Sequence, residues 1–149
     1  MYRFVDKILA FGLVAFAAAG TAPALCAERV LFAAERQVTR PPVGWVEFCA
    51  ENPGECAPDP APGSDVAEDG RSWRELVRIN KLVNDSVRPM TDLEHYGVVE
   101  KWSFPDDGYG DCEDYVLLKR QLLTEAGWPR SALLITVVRD QKGDGHAVL

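Results

Sequence analysis

Few side chains in this sequence can act as nucleophiles or bases near neutral pH. The 149 residues include two histidines and four cysteines, so thiol and imidazole chemistry is confined to six positions. Basic residues are also scarce, with 16 Lys and Arg against 23 Asp and Glu and a formal net charge of −7. Because an acidic surface is repelled by phosphates, the composition argues against a nucleic-acid partner. The length suits one compact domain.

The longest apolar run is too short to span a bilayer comfortably, and it has the features of a secretory signal. Basic residues precede the alanine-rich run 8–19, and Ala22-Pro23-Ala24 offers a cleavage site. We therefore predict a signal peptide over residues 1–27 and a periplasmic or secreted location. Two alternatives stay open, an uncleaved membrane anchor and lipidation at Cys26.

Export changes how the cysteines are interpreted, because disulfides form in oxidising compartments. Cys49 and Cys56 flank a turn-forming segment, and we predict that they form a disulfide. Two reduced thiols or a metal pair are the alternatives, but no histidine or further cysteine lies nearby to complete a metal site. Cys112 is left without a partner, which is a liability in an exported protein unless the thiol is buried or used.

The composition shifts sharply along the first half of the chain. Alternating residues in 45–48 predict a short strand, or else an entering segment that packs onto the core. Proline, glycine and acidic residues over 52–70 predict a loop or linker. Residues 28–71 are therefore assigned to an N-terminal extension and proline-rich linker that carry the disulfide. Residues 72–149 are assigned to the core domain.

The core is predicted to begin with an amphipathic helix. We assign Ser72 as the N-cap, because Glu75 follows it at the spacing of a capping box, and Pro89 ends the helix. Residues 90–107 are loop-like. His95 lies in this loop beside an acidic residue, and we interpret it as a solvated side chain.

A second helix and a strand pair follow. Asp111 is suited to the N-cap, with Asp114 near the free amides of the first turn, and Gly127 suits the C′ position. Residues 133–138 predict a buried strand, and 146–149 open a returning strand after a turn. Because a chain that stops within a strand leaves a sheet edge unpaired, we expect a sheet that is truncated at its C-terminal side.

Cys112 lies at the start of the second helix, where the chemistry of a thiol changes. Free amides and the helix dipole favour the thiolate and predict a pKa lowered from about 8.5 toward 7 or below, and the same amides can receive an oxyanion. Asp111, Glu113 and Asp114 oppose this, because carboxylates near a thiolate raise its pKa unless a cation neutralises them. A protonated His146 would supply that charge, and so would Ca²⁺, which prefers oxygen ligands.

The string Gly110-Asp111-Cys112-Glu113-Asp114-Tyr115 at a helix start, followed by a strand, a turn and Gly145-His146-Ala147-Val148, resembles the bacterial transglutaminase-like cysteine proteinases. These are exported bacterial members of the transglutaminase/papain-like superfamily, and the resemblance covers 73–149. It implies an α+β fold with a papain/transglutaminase-like core, in which a nucleophile at a helix N-terminus packs on an antiparallel sheet. It also implies that Cys112 is the nucleophile, that His146 is the base and that an orienting aspartate follows beyond Leu149.

Some members of this family cleave surface adhesins in the periplasm and bind Ca²⁺ beside the nucleophile. The resemblance carries that metal site to Asp111, Glu113 and Asp114, and implies a protein substrate and an inner-membrane regulator. The disulfide segment and linker have no counterpart that we can place in the adhesin-cleaving members. The sequence therefore favours an exported cysteine peptidase, with transglutaminase-type amine transfer, or a catalytically inactive fragment or binding module, as alternatives.

Overall fold

The computed structural model describes residues 40–58, 63, 65–139 and 141–149; the predicted signal peptide and the middle of the proline-rich linker lie outside them. The elements follow the order α1 (Val43–Glu51), α2 (Pro53–Cys56), α3 (Gly70–Ser86), β1 (Arg88–Pro89), α4 (Asp92–His95), β2 (Tyr109–Gly110), α5 (Cys112–Glu125), a 3₁₀ helix (Arg130–Ala132), β3 (Thr136–Arg139) and β4 (Gly145–Val148). Helices and two small sheets in one chain confirm the α+β class. Within the described ranges, no helix is long and apolar enough to cross a membrane.

The first two helices lie where the sequence predicted a strand and a loop. The strand prediction for 45–48 is wrong, because these residues belong to α1. Phe48 is 2% exposed, and its burial against the core outweighs a weak alternating pattern. The predicted disulfide between Cys49 and Cys56 is confirmed, with Cα atoms 5.5 Å apart, and it ties α1 to α2.

The amphipathic helix α3 begins earlier than the sequence predicted. Asp69 is its N-cap, because Asp69 Oδ1 accepts the N–H groups of Arg71 and Ser72, both at 2.8 Å. Ser72 occupies the third helical position, where its Oγ accepts the N–H of Asp69 at 3.0 Å. The assignment of Ser72 as N-cap is therefore wrong, since this serine closes the opposite side of a capping box. The helix ends at Ser86, before Pro89 as predicted.

Helix α5 lies between two clusters of buried apolar side chains. One cluster joins α5 to α1 and β4, and the other joins it to α3. The first contains Phe48, Trp102, Val116, Leu117 and Ala147, and the second contains Ile79, Val83, Val87, Leu123 and Leu133. Because α5 contributes to both clusters, the helix is packed on two sides, and its first residue, Cys112, packs against the first cluster.

The two sheets are short, and each contributes one strand, β2 or β4, that contacts α5. β1 pairs in parallel with β2, with Arg88 opposite Tyr109. β3 and β4 form the predicted antiparallel pair, with Val138 opposite His146. The prediction of a buried strand over 133–138 is wrong, because β3 covers Thr136–Arg139 and is exposed throughout. The strand that contacts α5 is β4, so the apolar residues of β3 remain on the surface.

Candidate active site

The nucleophile predicted from the sequence lies at the start of α5. Cys112 is the first helical residue and Asp111 is the N-cap, as predicted. The Asp111 N–H donates to Asp114 Oδ2 at 3.4 Å. A Cβ at Gly110 would lie 2.7 Å from the Asp114 side chain, so glycine is required there for this close approach. The Met90 N–H donates to the Gly110 carbonyl at 3.0 Å. This bond holds the segment that precedes Cys112 against the end of β1.

Strand β4 brings His146 into the same cleft as Cys112. The Ala147 N–H donates to Cys112 Sγ at 3.4 Å, so the sulfur contacts the strand one residue from the histidine. Both side chains line an open cavity of about 700 Å³, whose other walls are largely apolar side chains of α3, α5 and β4. The imidazole is exposed and makes no hydrogen bond with any described residue. The structure therefore places the two predicted catalytic residues in one cavity, without a hydrogen bond between the Cys112 sulfur and the His146 imidazole.

In this conformation the thiol contacts Glu113. The S–H of Cys112 donates to Glu113 Oε2 at 3.1 Å, and Glu113 is 6% exposed. Burial raises the pKa of Cys112 to about 12; the Ala147 N–H acts in the opposite direction, and the Glu113 and Asp111 carboxylates raise it further. The expectation of a lowered thiol pKa is wrong for this arrangement, because desolvation and two carboxylates outweigh the helix N-terminus.

Burial also raises the pKa values of the carboxyl groups around the thiol. The pKa of Glu113 is raised to about 8 by burial and then by the neighbouring Asp111 carboxyl group. Burial raises the pKa of Asp114 to about 6, although the Ser103 N–H donates to it. The pKa of Asp92 is raised by burial as well. Carboxyl groups gathered this closely retain protons unless a cation neutralises them.

These carboxylates form two overlapping groups that could hold a metal ion. One group is Asp92, Asp111 and Asp114, and the other is Asp111, Cys112 and Glu113; within each group the ligand atoms lie within 4.8 Å of one another. Asp111 Oδ1 is buried and has no hydrogen-bond partner among the described residues. Asp111 belongs to both groups, whereas Asp114 belongs only to the first and Glu113 only to the second. The structure therefore divides the three ligands predicted from the resemblance between two groups that share Asp111. A set of buried carboxylate oxygens with one unpartnered member fits Ca²⁺.

The structure adds Asp92 to the acidic residues that the sequence indicated. The Asp92 N–H donates to Asp111 Oδ2 at 3.3 Å, and the Asp92 carboxylate accepts the N–H of Lys101. Asp92 is the first residue of α4, whose capping box pairs Thr91 with Glu94. That Thr-x-x-Glu spacing was the local signal that could have located α4 in the predicted loop.

The second histidine is not the solvated side chain that the sequence suggested. The His95 side chain is 14% exposed, and its Nε2 lies 2.7 Å from Asp107 Oδ2. Its ring stacks on Tyr96 with ring centroids 3.9 Å apart. The interpretation of His95 as solvated is therefore wrong, because aromatic packing and an acidic partner bury it.

Most of the chain is similar to a known protein family. Residues 35–149 match the family described as bacterial transglutaminase-like cysteine proteinase. No curated protein and no solved structure matches the chain significantly. The family match includes the disulfide-linked helices α1 and α2, so these belong to the matched region together with the site around Cys112.

Proposed function

Because the chain belongs to the bacterial transglutaminase-like cysteine proteinase family, we propose that it is an exported cysteine peptidase that cleaves an amide bond by acyl transfer to water. Cys112 attacks the substrate carbonyl, and His146 takes the thiol proton and gives it to the leaving amine. Free N–H groups at the start of α5 receive the oxyanion. Water then hydrolyses the thioester. The observation that carries the proposal is the contact of Cys112 Sγ with β4 beside His146.

The proton path requires the thiol to exchange one partner for another. In the structure the S–H bond points to Glu113, whereas catalysis requires it to point to His146. The two groups line the same cavity, and catalytic hydrogen bonds that are long in a free enzyme commonly tighten in the substrate complex. The proposed path therefore requires a rearrangement within the cleft that brings the Cys112 sulfur and the His146 imidazole within hydrogen-bond distance.

We further propose that the site depends on Ca²⁺. Asp111, Glu113 and Asp114, with Asp92, offer the oxygen ligands that Ca²⁺ prefers. When bound, the cation would neutralise the carboxylates that raise the thiol pKa and so favour the thiolate. The unpartnered Asp111 Oδ1 supports this placement.

The substrate that we propose is a periplasmic or surface protein, and we propose an inner-membrane regulator as a partner. Both follow from the family resemblance. The cavity supports the first, because an open cleft of about 700 Å³ with largely apolar walls suits a segment of extended polypeptide.

The proposal is tested with p-nitrophenyl acetate, an activated ester that acylates a catalytic thiol and releases p-nitrophenolate. Cys112→Ala should abolish the release, and His146→Ala should slow it by roughly 10²- to 10⁴-fold, because general acid–base catalysis is lost. Val138→Ala is the matched control, since Val138 lies opposite His146 on the strand pair and is exposed. Equal release by Cys112→Ala and the parent protein would exclude the mechanism.

The same preparation can test the nature of the acyl acceptor and of the metal. Hydrolysis predicts no incorporation of a labelled primary amine into a glutamine-bearing protein, and incorporation would replace hydrolysis by amine transfer. Release should rise on addition of Ca²⁺ and fall with a chelator. An Asp111→Ala protein whose response to Ca²⁺ equals that of the parent would remove the metal assignment.

A further inference from the structure

A chain of hydrogen bonds leads from His95 to the segment that carries the nucleophile, residues 107–112. The His95 Nε2 lies 2.7 Å from Asp107 Oδ2. The other oxygen of the same carboxylate, Asp107 Oδ1, accepts the N–H of Tyr109 at 3.1 Å. Tyr109 opens β2, which ends immediately before the N-cap Asp111. The Asp107 carboxylate thus links the His95 imidazole to the backbone of Tyr109, three residues before Cys112.

The imidazole is held in one orientation. Its ring stacks on Tyr96 at a centroid distance of 3.9 Å, and the ring of Tyr109 lies edge-on at 6.1 Å. His95 Nδ1 is buried and has no hydrogen-bond partner among the described residues. A buried polar atom without a partner costs free energy, so the contact between Nε2 and Asp107 has to offset that cost. The arrangement assigns the ring proton to Nε2, which donates it to the carboxylate.

The short helix α4 contacts the nucleophile segment at both of its ends. His95 holds the Asp107 end, and the N–H of Asp92 donates to Asp111 Oδ2 at 3.3 Å at the other end. These two residues are the first and last of α4. Since β1 already pairs with β2, α4 supplies a second, side-chain-dependent restraint on the segment that positions Cys112.

We propose that His95 is a positioning residue for the nucleophile, whose hydrogen bond to Asp107 orients the turn before β2 and thereby sets where Cys112 Sγ lies against β4. The proposal rests on the proposed function in that it takes Cys112 as the nucleophile. Reaction rates depend steeply on such placement, because a shift of about 1 Å can cost roughly 100-fold. A smaller displacement from the loss of one restraint should cost about tenfold.

Two pairs of variants test this role. His95→Phe keeps an aromatic ring for stacking and removes the donor, whereas His95→Gln keeps an N–H donor at similar reach. Asp107→Ala removes both contacts of the carboxylate. Asp106→Ala is its matched control, because the Asp106 carboxylate makes no hydrogen bond with the described residues. The readouts are hydrogen exchange at the Tyr109 and Asp111 amides and the kcat and KM for p-nitrophenyl acetate.

In the His95→Phe and Asp107→Ala proteins, kcat should fall about tenfold while KM stays within about twofold of the parent value. Exchange at the Tyr109 and Asp111 amides should become faster by a similar factor. His95→Gln should recover most of kcat, and Asp106→Ala should behave as the parent. Such a division between kcat and KM, with recovery by glutamine, is not expected from a general loss of stability.

A parent-like kcat in His95→Phe would overturn the proposal. Faster exchange throughout α5, including the Leu117 and Leu123 amides, would overturn it as well, because the effect would then be global destabilisation. If the parent protein releases no p-nitrophenolate, the proposed function fails. Exchange at Tyr109 and Asp111 then still decides the positioning role, since that measurement requires no turnover.

Discussion

Replacing Glu113 by glutamine should make the Cys112 thiol more reactive, and the effect should appear only above a defined pH. Glutamine retains an oxygen that can accept the thiol proton but carries no charge. Burial raises the pKa of Glu113 to about 8, so the parent protein carries a carboxylate beside the sulfur only above that pH. Below it, parent and variant present a neutral group to the thiol and should react at similar rates.

The magnitude follows from the distance between the two groups. Unit charges 3.1 Å apart repel by about 5 kcal/mol at an effective dielectric constant of about 20. The Cys112 side chain is only partly buried, and water screens the pair, so we expect about 2 kcal/mol to remain. This corresponds to between one and two pKa units, because one unit equals about 1.4 kcal/mol. At a pH between about 8 and 12, the thiolate fraction should therefore rise ten- to hundredfold in the variant.

The assay is the rate of iodoacetamide modification at Cys112, measured from pH 6 to pH 10 by peptide mass spectrometry in the presence of a chelator. The ratio of variant to parent rates should be near one at the acidic end and should rise through about pH 8. Glu125→Gln is the matched control, because Glu125 is an exposed acid at the opposite end of α5. A ratio that stays constant across this pH range would refute the reasoning, because the carboxylate would then not control the thiol.

Two further predictions concern stability. Without metal, the melting temperature should be higher at pH 5 than at pH 8, because the pKa values of Glu113 and Asp114 are raised to about 8 and about 6. The folded state therefore binds more protons than the unfolded state and loses stability as the pH rises through this range. Scanning calorimetry should show that Ca²⁺ raises the melting temperature more at pH 8 than at pH 5, and the opposite order would contradict the prediction. Gly44→Ala should lower the free energy of unfolding in urea by about 2 kcal/mol, because the new Cβ would lie 2.5 Å from the Trp102 ring. Gly54→Ala is the control: its Cβ would meet no atom within 4 Å, so the free energy of unfolding should change by less than about 1 kcal/mol.

The acidic residues beside Cys112 have opposite effects on folding and on chemistry. Asp114 is fully buried and accepts the N–H of Ser103 at 2.8 Å, so it joins the loop before β2 to α5. Glu113 contacts the thiol, and its charge opposes the thiolate. A cation at Asp111 would leave the structural contact of Asp114 in place while removing the electrostatic penalty on the sulfur.

Local signals in the sequence were sufficient to predict that Cys112 stands at the start of a helix. Asp111, Cys112 and Asp114 lie within one turn, and the capping preferences of that turn depend on neighbours in sequence. The same holds for the disulfide between Cys49 and Cys56, because seven residues separate the two positions. The family resemblance rested on the same short segments, and the match over 35–149 confirmed it.

Local signals failed where burial decided the outcome. Phe48 lies in a helix because α1 packs on the core, and no pattern in 45–48 contains that information. The exposed position of β3 follows from the contact of α5 with β4. Asp92 and His95 were predicted to lie in a loop, and their contacts with Asp111 and Asp107 span 19 and 12 positions.

By itself, the sequence determined which residue types stand at the N-terminus of α5. They are a cysteine and three carboxylates, preceded by a glycine, all within about one helical turn. Only the tertiary structure decided the state of that cysteine. Packing partly buries the thiol beside Glu113 and raises its pKa to about 12, although a helix N-terminus in water would lower it. The physical reason is that capping acts between neighbours in sequence, whereas desolvation and charge repulsion depend on every group that folding brings close.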